Sequence, residues 1–143
     1  MRVLNVAKVL IRRKSDGKYL VLRSAKWEER QERSQKPDLA GGVIEEGETI
    51  PQGAAREVYE EAGITVNPDD LMLVYALTFK SDKDGASVNR SIFCVEVDGD
   101  PEVTLSWEHE EFWWASKDEL LQLEIREPYP EIFTYLADVE VLI

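Results

Sequence analysis

One cysteine and one histidine are all that the 143 residues offer to disulfide or soft-metal chemistry. Cys94 has no second cysteine to pair with, and Cys94 with His109 falls short of the four ligands of a structural zinc site. A catalytic triad that needs a second imidazole is excluded as well. Glycine (8) and proline (6) are too few for a collagen-like or low-complexity chain. Long hydrophobic runs are missing. The most apolar stretch, Val3 to Ile11, is broken by Asn5 and Lys8 and is too short to span a bilayer. Its basic residues Arg12, Arg13 and Lys14 follow it, whereas a secretory signal places them first. Positive charge is also in deficit, with 17 Lys and Arg against 29 Asp and Glu and a net charge of -12. That balance argues against a nucleic acid polymer or an anionic membrane as partner. A reducing, cytoplasmic setting is the expectation.

What is present fits one domain over residues 1–143: 43% hydrophobic and 32% charged residues, enough to bury a core without covalent staples. The charge is unevenly spread. Residues 1–36 carry 11 Lys and Arg against 4 Asp and Glu, so the remainder holds all of the acidic excess. Such asymmetry fits either a solvated face or a basic rim, including Arg23, Lys26, Arg30, Arg33 and Lys36, that meets an anionic small molecule.

Leu4–Arg12 and Tyr19–Arg23 are β-rich runs around the turn residues Lys14 to Gly17, which predicts a hairpin. The polar segment 24–36, with Trp27 alone among charges, reads as a long loop or marginal helix. Pro37 to Gly47 suits short extended pieces sharply bent. Ile50–Ala62 is the best helix: Thr49 and Gln52 form a capping box, Pro51 sits in the first turn, and Gly63 supplies a left-handed end. Leu71–Lys80 and Val88–Val97 predict a second hairpin. A short strand at Phe112–Ala115, a helix from Ser116 to about Leu123 and a last helix over Glu131–Val139 complete the chain. Strands and helices interleave without a strict βαβ repeat, so the expected class is α/β or α+β with a mixed sheet.

The helix carries Glu57, Glu60 and Glu61 at spacings that place all three on one face. Like charges so arranged destabilise an isolated helix by roughly 0.2–0.5 kcal/mol per pair. A solvated face is one reading. A divalent cation held by carboxylate oxygens, as Mg²⁺ normally is, is the other.

The surrounding pattern decides between them. It reads Gly42, five residues, Glu48, seven residues, Arg56-Glu57-Val58, one residue, Glu60-Glu61, one residue, Gly63-Ile64. This resembles the signature of the Nudix hydrolases at every defined position, nine within 23 residues and about a sixth of the chain. Beyond the box the likeness is softer: a hairpin on either side, then Glu108-His109-Glu110-Glu111 ahead of Trp113-Trp114. The resemblance implies an α/β/α sandwich in which the box forms a loop–helix–loop. It implies Gly41 (through its carbonyl), Glu57, Glu60 and Glu61 as ligands of Mg²⁺, with Mn²⁺ as a substitute and Glu48 in support. It further implies Arg56 as the orienting arginine of the catalytic set, Glu57 or Glu108 as general base, and Arg23 as a phosphate contact. From its place in the polar segment, Trp27 reads either as a ring that stacks on a base or as a hydrophobic plug under the loop, and Lys36, with the basic rim, as facing phosphate. Ala40 departs from the usual pattern, which has proline before the two glycines.

The activity so implied is hydrolysis of a nucleoside diphosphate linked to a further moiety. The proline and tyrosine that mark hydrolases of ADP-ribose and of dinucleoside polyphosphates are absent; Phe79, and Lys80 through Asp82, occupy those places. The reading therefore favours a (deoxy)nucleoside triphosphate pyrophosphohydrolase, acting as a monomer or homodimer. The alternative is a catalytically inactive Nudix-like module that binds nucleotides, although no box glutamate is lost. Isomerase chemistry on the same fold needs a cysteine and a histidine ahead of the box, and this chain has neither there. The remaining aromatics are read as packing: Trp113 and Trp114 on opposite faces of a strand, with His109 fixing its loop and Cys94 a small buried hydrophobe.

Overall fold

In a computed structural model that describes residues 2–29, 33–82 and 84–143, seven strands and three helices form a helix–sheet–helix sandwich. The strands are β1 (Val3–Arg13), β2 (Lys18–Ser24), β3 (Pro37–Asp38), β4 (Ala40–Val43), β5 (Met72–Lys80), β6 (Ser87–Val97) and β7 (His109–Ala115). The helices are α1 (Ile50–Ala62), α2 (Lys117–Leu121) and α3 (Tyr129–Asp138). No helix among the described residues is long and apolar enough to cross a membrane.

Period-two alternation lets the sheet bury both faces. Ala7, Val9 and Ile11 of β1, with Leu20 and Leu22 of β2, pack on one side against Ala54, Val58 and Ala62 of α1. Leu10, Tyr19 and Val21 point the other way, onto Leu120 of α2 and Ile132, Phe133 and Leu136 of α3. Trp114 joins the first core and Trp113 the second, as their adjacent places in β7 require.

The sheet is mixed because β1 runs parallel to β6 over its whole length, from Val3 opposite Ser87 to Arg13 opposite Val97. The β1–β2 hairpin is shorter than the sequence suggests. Only Arg12–Tyr19 and Arg13–Lys18 pair. Beyond them β2 takes β7 as its neighbour, and β1 pairs with β4 from Val6–Val43 to Val9–Ala40. This divergence of β1 from β2 opens the sheet at the end where the box begins.

Helix α1 keeps its expected bounds and caps. The Thr49 side chain accepts the Gln52 N–H (3.2 Å), the Gln52 side chain accepts the Thr49 N–H (2.9 Å), and Gly63 ends the helix at φ 71°. Other bounds differ. Strand β7 begins at His109 rather than Phe112, because pairing with β2 extends through Glu111–Arg23 to His109–Ser24. Helix α3 begins two residues early, at Tyr129, because Pro130 suits a first turn. A 3-10 turn over Pro68–Asp70, capped by Asn67, had no periodic signal to announce it.

Candidate active site

The bend between β3 and α1 is where local sequence constrains the backbone most. Gly41 has φ 145°, and a Cβ there would lie 2.0 Å from the Ala7 carbonyl oxygen. At Gly42 a Cβ would lie 2.6 Å from the Glu57 carboxyl carbon. The first glycine thus lets β4 lie against β1, and the second leaves room for a carboxylate of α1 over the strand.

Arg56 gathers the acids of the box. Its Nε and Nη2 donate to the Glu48 carboxylate (2.8 and 3.0 Å), a bidentate pair, and Nη1 donates to Glu57 and Glu60 (both 3.1 Å). Nη2 also donates to the Val43 carbonyl at 3.1 Å, which ties the helix to the loop. These carboxylates, Glu48 foremost, raise the Arg56 pKa above its ordinary value.

Glu61 is 5% exposed, and its carboxylate accepts the Gly41 N–H at 2.8 Å. Burial, with Glu57 and Glu108 adding repulsion, pushes its pKa up to about 8 against the pull of Lys8 and the Gly41 amide. Glu57 is raised too, mainly by burial and then by Glu60 and Glu108, with Arg56 opposing.

Glu108 comes from the loop before β7, whose Val103 and Leu105 pack against the same core as α1. Its N–H donates to Ser106 Oγ (3.4 Å), its carbonyl accepts the Ala25 N–H (2.8 Å), and the Ser106 N–H donates to the Glu61 carbonyl (3.3 Å). The loop before β7 is thereby stitched both to α1 and to the segment after β2.

Glu57, Glu61, Glu108, Gly41, Gly42 and Trp27 line one cavity of about 330 Å³. Lys8, Asp38, Arg33, Arg90, Arg126 and His109 line it as well. The structure thus brings together Gly41, Gly42, Glu57, Glu61, Glu108, Trp27, His109 and Arg33 of the residues singled out in the sequence. Glu60 is not among the lining residues; its side chain is half exposed and paired with Arg56. Arg56 acts from behind the wall. Arg23 is also absent from the lining: Nε donates to Glu111 (3.0 Å), Nη1 to the Gln35 carbonyl (3.0 Å), and the guanidinium sits 4.9 Å over the Trp113 ring. Lys36 contributes only its backbone, accepting the Ser24 N–H at 2.9 Å. Arg30 lies outside the described residues. Among those residues, no three acidic, histidine or cysteine side chains stand close enough together to hold an ion in this conformation.

Trp27 meets Trp107 with ring centres 5.5 Å apart and planes at 52°. Trp107 is 77% exposed, an aromatic surface at the edge of the cavity. His109 fixes its loop through the backbone, its N–H donating to the Ser106 carbonyl (3.2 Å). Its ring is buried, Nδ1 has no partner, and burial, with Lys8 and Arg33, lowers its pKa to about 4. Cys94 lies half-buried in β6, where burial pushes its thiol up to about 11 and away from nucleophilic use.

Lys8, Asp38, Arg90 and Arg126 escaped the sequence reading. Lys8 left one trace, a charge in the middle of an apolar strand, which is rare unless the charge is paired inside. The other three come from separate elements and carry no local pattern.

A mixed sheet between helices, with a glutamate-bearing loop–helix–loop at its open end, defines a recognisable class. The NUDIX domain family model matches residues 1–136, and the chain belongs to the Nudix hydrolase family. A MutT-like protein of Streptomyces ambofaciens is 42% identical over 78 residues, which cover 52% of this chain and 43% of that relative. The match thus spans less than half of that relative's length. The crystal structure of a MutT protein from Methanosarcina mazei Go1 superposes with a TM-score of 0.81 at 26% identity, covering 97% of this chain and 96% of that one. The E. coli dihydroneopterin triphosphate pyrophosphohydrolase shares the fold, with a TM-score of 0.72 at 20% identity over 94% of this chain and 95% of that one.

Proposed function

We propose that this chain hydrolyses the diphosphate linkage of a nucleoside diphosphate derivative, and that a (deoxy)nucleoside triphosphate is its substrate. The observation that carries the reading is the convergence of Glu57, Glu61 and Glu108 on one cavity, with Gly42 leaving space for the Glu57 carboxylate. The likeness to proteins described as MutT and MutT-like supports it.

The donor set suits a hard divalent ion. It consists of carboxylate oxygens and a backbone carbonyl, with no thiolate and no imidazole in an acid cluster whose members repel one another. Glu57, Glu61 and Gly41 would hold Mg²⁺ or Mn²⁺, with Glu60 completing the helical set. Such an ion, when bound, neutralises diphosphate oxygens and acidifies a water. The protein's own groups do the rest. Arg56 fixes Glu57 and Glu60 in place, Glu57 or Glu108 accepts the proton of the attacking water, and Trp27 with Trp107 offers a stacking surface to a base.

The test is a turnover screen of the purified protein with Mg²⁺ over nucleoside triphosphates, sugar nucleotides and dinucleoside polyphosphates. Release of pyrophosphate from triphosphates, above phosphate release from the other classes, is expected. Preference for a sugar nucleotide or a dinucleotide would replace the substrate assignment and keep the chemistry. No turnover of any class would leave a nucleotide-binding module.

A further inference from the structure

Lys8 lines the same cavity as Glu57, Glu61 and Glu108, yet it has no N–H to spare for a substrate. It is 3% exposed, and an ammonium has three donors. All three find acceptors: Asp38 Oδ2 and the Leu39 carbonyl at 3.2 Å each, and the Gly41 carbonyl at 3.4 Å. Its backbone is equally fixed. Lys8 sits in the middle of β1, opposite Gly41 of β4 on one side and Ile92 of β6 on the other.

The ion pair with Asp38 does not account for this placement. Arg126 and Arg33 also reach Asp38 Oδ2, at 3.2 and 3.6 Å, and Oδ1 accepts the Leu39 N–H. Burying an ammonium in a strand whose neighbours Ala7 and Val9 are core residues costs desolvation that an apolar side chain would avoid. What an apolar side chain could not do is hold the Gly41 carbonyl. At φ 145° Gly41 occupies backbone that other residues rarely adopt, and no Cβ of its own limits where that carbonyl points. Two side chains pin the residue instead: its N–H donates to Glu61 (2.8 Å), and its carbonyl accepts from Lys8. Among the described residues no three acidic, histidine or cysteine side chains stand close enough together to hold an ion. The donor set therefore needs the Gly41 oxygen, and what fixes that oxygen matters.

We infer that Lys8 is a positioning residue of the divalent-metal site, holding the Gly41 carbonyl ready as one of the oxygens that take the ion. This rests on the metal-dependent hydrolase reading and adds a residue to it. The carbonyl accepts from Lys8 with one lone pair and keeps the other. Charge and position then pull in opposite directions. The Lys8 ammonium repels a cation and attracts the Glu61 carboxylate, so its charge alone weakens metal binding. Removing Lys8 tightens binding if charge is its whole effect, and loosens binding if position dominates.

The experiment measures Mg²⁺ affinity by calorimetry, with no nucleotide present, for the wild type, Lys8→Met and Leu136→Ala. Met keeps an apolar stem in the strand. Leu136→Ala lowers the melting temperature from the core beneath α3 without touching the bend. Lys8→Met should bind Mg²⁺ about 10–100-fold more weakly, the usual effect of losing a group that orients a ligand, while Leu136→Ala matches the wild type. At saturating Mg²⁺ the KM of Lys8→Met for a triphosphate should equal that of the wild type. Unchanged or higher Mg²⁺ affinity in Lys8→Met, an equal loss in Leu136→Ala, or a raised KM at saturating Mg²⁺ would each overturn the positioning role. If Lys8→Met does not fold, the Lys8 Nζ resonance of the wild type is followed by nitrogen NMR as Mg²⁺ is added. It should shift in step with the Gly41 amide, and a stationary Lys8 signal overturns the role. Absence of Mg²⁺ binding to the wild type removes the metal-dependent reading and this role with it, whereas Lys8-independent binding removes the role alone. Lys8-dependent binding without turnover of any triphosphate keeps the role and removes the hydrolase reading.

Discussion

Lys8 Nζ lies 3.2 Å from Asp38 Oδ2, and the two side chains are only 4 and 3% exposed. Lys8 also donates to the carbonyls of Leu39 (3.2 Å) and Gly41 (3.4 Å), so one buried ammonium ties β1 to the start of the bend that leads to α1. Burying both charges costs desolvation that their attraction recovers only with such added hydrogen bonds. The pair therefore specifies where the chain turns more than it adds stability.

Removing one partner exposes that balance. Stranding a buried charge costs about 3–5 kcal/mol. Lys8→Met should cost less, about 2 kcal/mol, because Arg126 and Arg33 still face Asp38. Asp38→Asn should cost more, since Lys8, Arg33 and Arg126 then lose the carboxylate they share. Thermal melts decide it. At about 2–4 °C per kcal/mol for a domain of this size, the two variants should be separable. A Lys8→Met protein less stable than Asp38→Asn would mean that the cations do not depend on Asp38.

Acid should act through the same residue. Burial alone would raise the Asp38 pKa, but Lys8, Arg126 and Arg33, with the Leu39 amide, hold it at about 2, below its ordinary 3.8. The unfolded chain then takes up this proton at a higher pH than the folded one. Its contribution is complete above the unfolded value and fades as pH falls from about 4 toward 2. The wild-type melting temperature should drop through that window more steeply than that of Asp38→Asn. Parallel curves would remove Asp38 as the acid-sensitive group.

The lining of the cavity shows what a sequence can disclose. Thr49, Gln52, Pro51 and Gly63 act within a few residues of the helix ends, so α1 and its glutamates were legible from local chemistry. The family pattern added Gly41 and Glu108, which no periodicity marks. Arg90, Arg126 and Asp38 line one cavity because β1 leaves β2, pairs with β4 and runs parallel to β6, a long-range choice set by two-sided burial. The same choice sets Arg23, expected from the resemblance to meet phosphate, beside β7. Its spacing placed it at the end of β2 correctly, but spacing does not reveal that Glu111 and Trp113 stand beside it.

Arg23→Ala should therefore register first in stability. An exposed ion pair and a cation–π contact are each worth about 0.5–1 kcal/mol at most in such settings, so a fall of a few degrees is expected. KM for the triphosphate should stay within about twofold of wild type, a change of under half a kcal/mol. A tenfold rise in KM with an unchanged melting temperature would return Arg23 to the substrate.

Divalent metal should be required for turnover and should stabilise the fold. Exhaustive chelation should abolish hydrolysis, and Mg²⁺ should restore it. Because an ion bound only by the native state shifts unfolding by mass action, saturating Mg²⁺ should raise the melting temperature, by about 2.7 kcal/mol equivalent at a hundred times Kd. Replacement of Glu57 by Gln should shrink that shift. Full activity after chelation would end the metal-dependent reading.

Glu57 and Glu108 divide the last question, the identity of the base. Glu57 is held by Arg56 at 3.1 Å and sits against Gly42, so its carboxylate is oriented by a fixed cation and a fixed strand. Among the described residues Glu108 is positioned through its own backbone, by Ser106 and Ala25, which leaves its carboxylate unanchored. Glu57→Gln keeps the shape and removes the charge. Its folded stability without metal should change little, because losing the Arg56 contact is offset by relief of repulsion from Glu60 and Glu108. Activity should fall chiefly in kcat, by at least the 10²–10⁴-fold, roughly, that a positioned base contributes. Glu108→Gln settles which residue is that base. If Glu108 is, its loss lowers kcat at saturating Mg²⁺ and removes the acidic limb of the pH–rate profile, while the Glu57→Gln defect is largely rescued by higher Mg²⁺. If Glu57 is, no Mg²⁺ concentration rescues Glu57→Gln, and Glu108→Gln retains most of its kcat. Near wild-type kcat in both variants would remove both carboxylates from the chemistry.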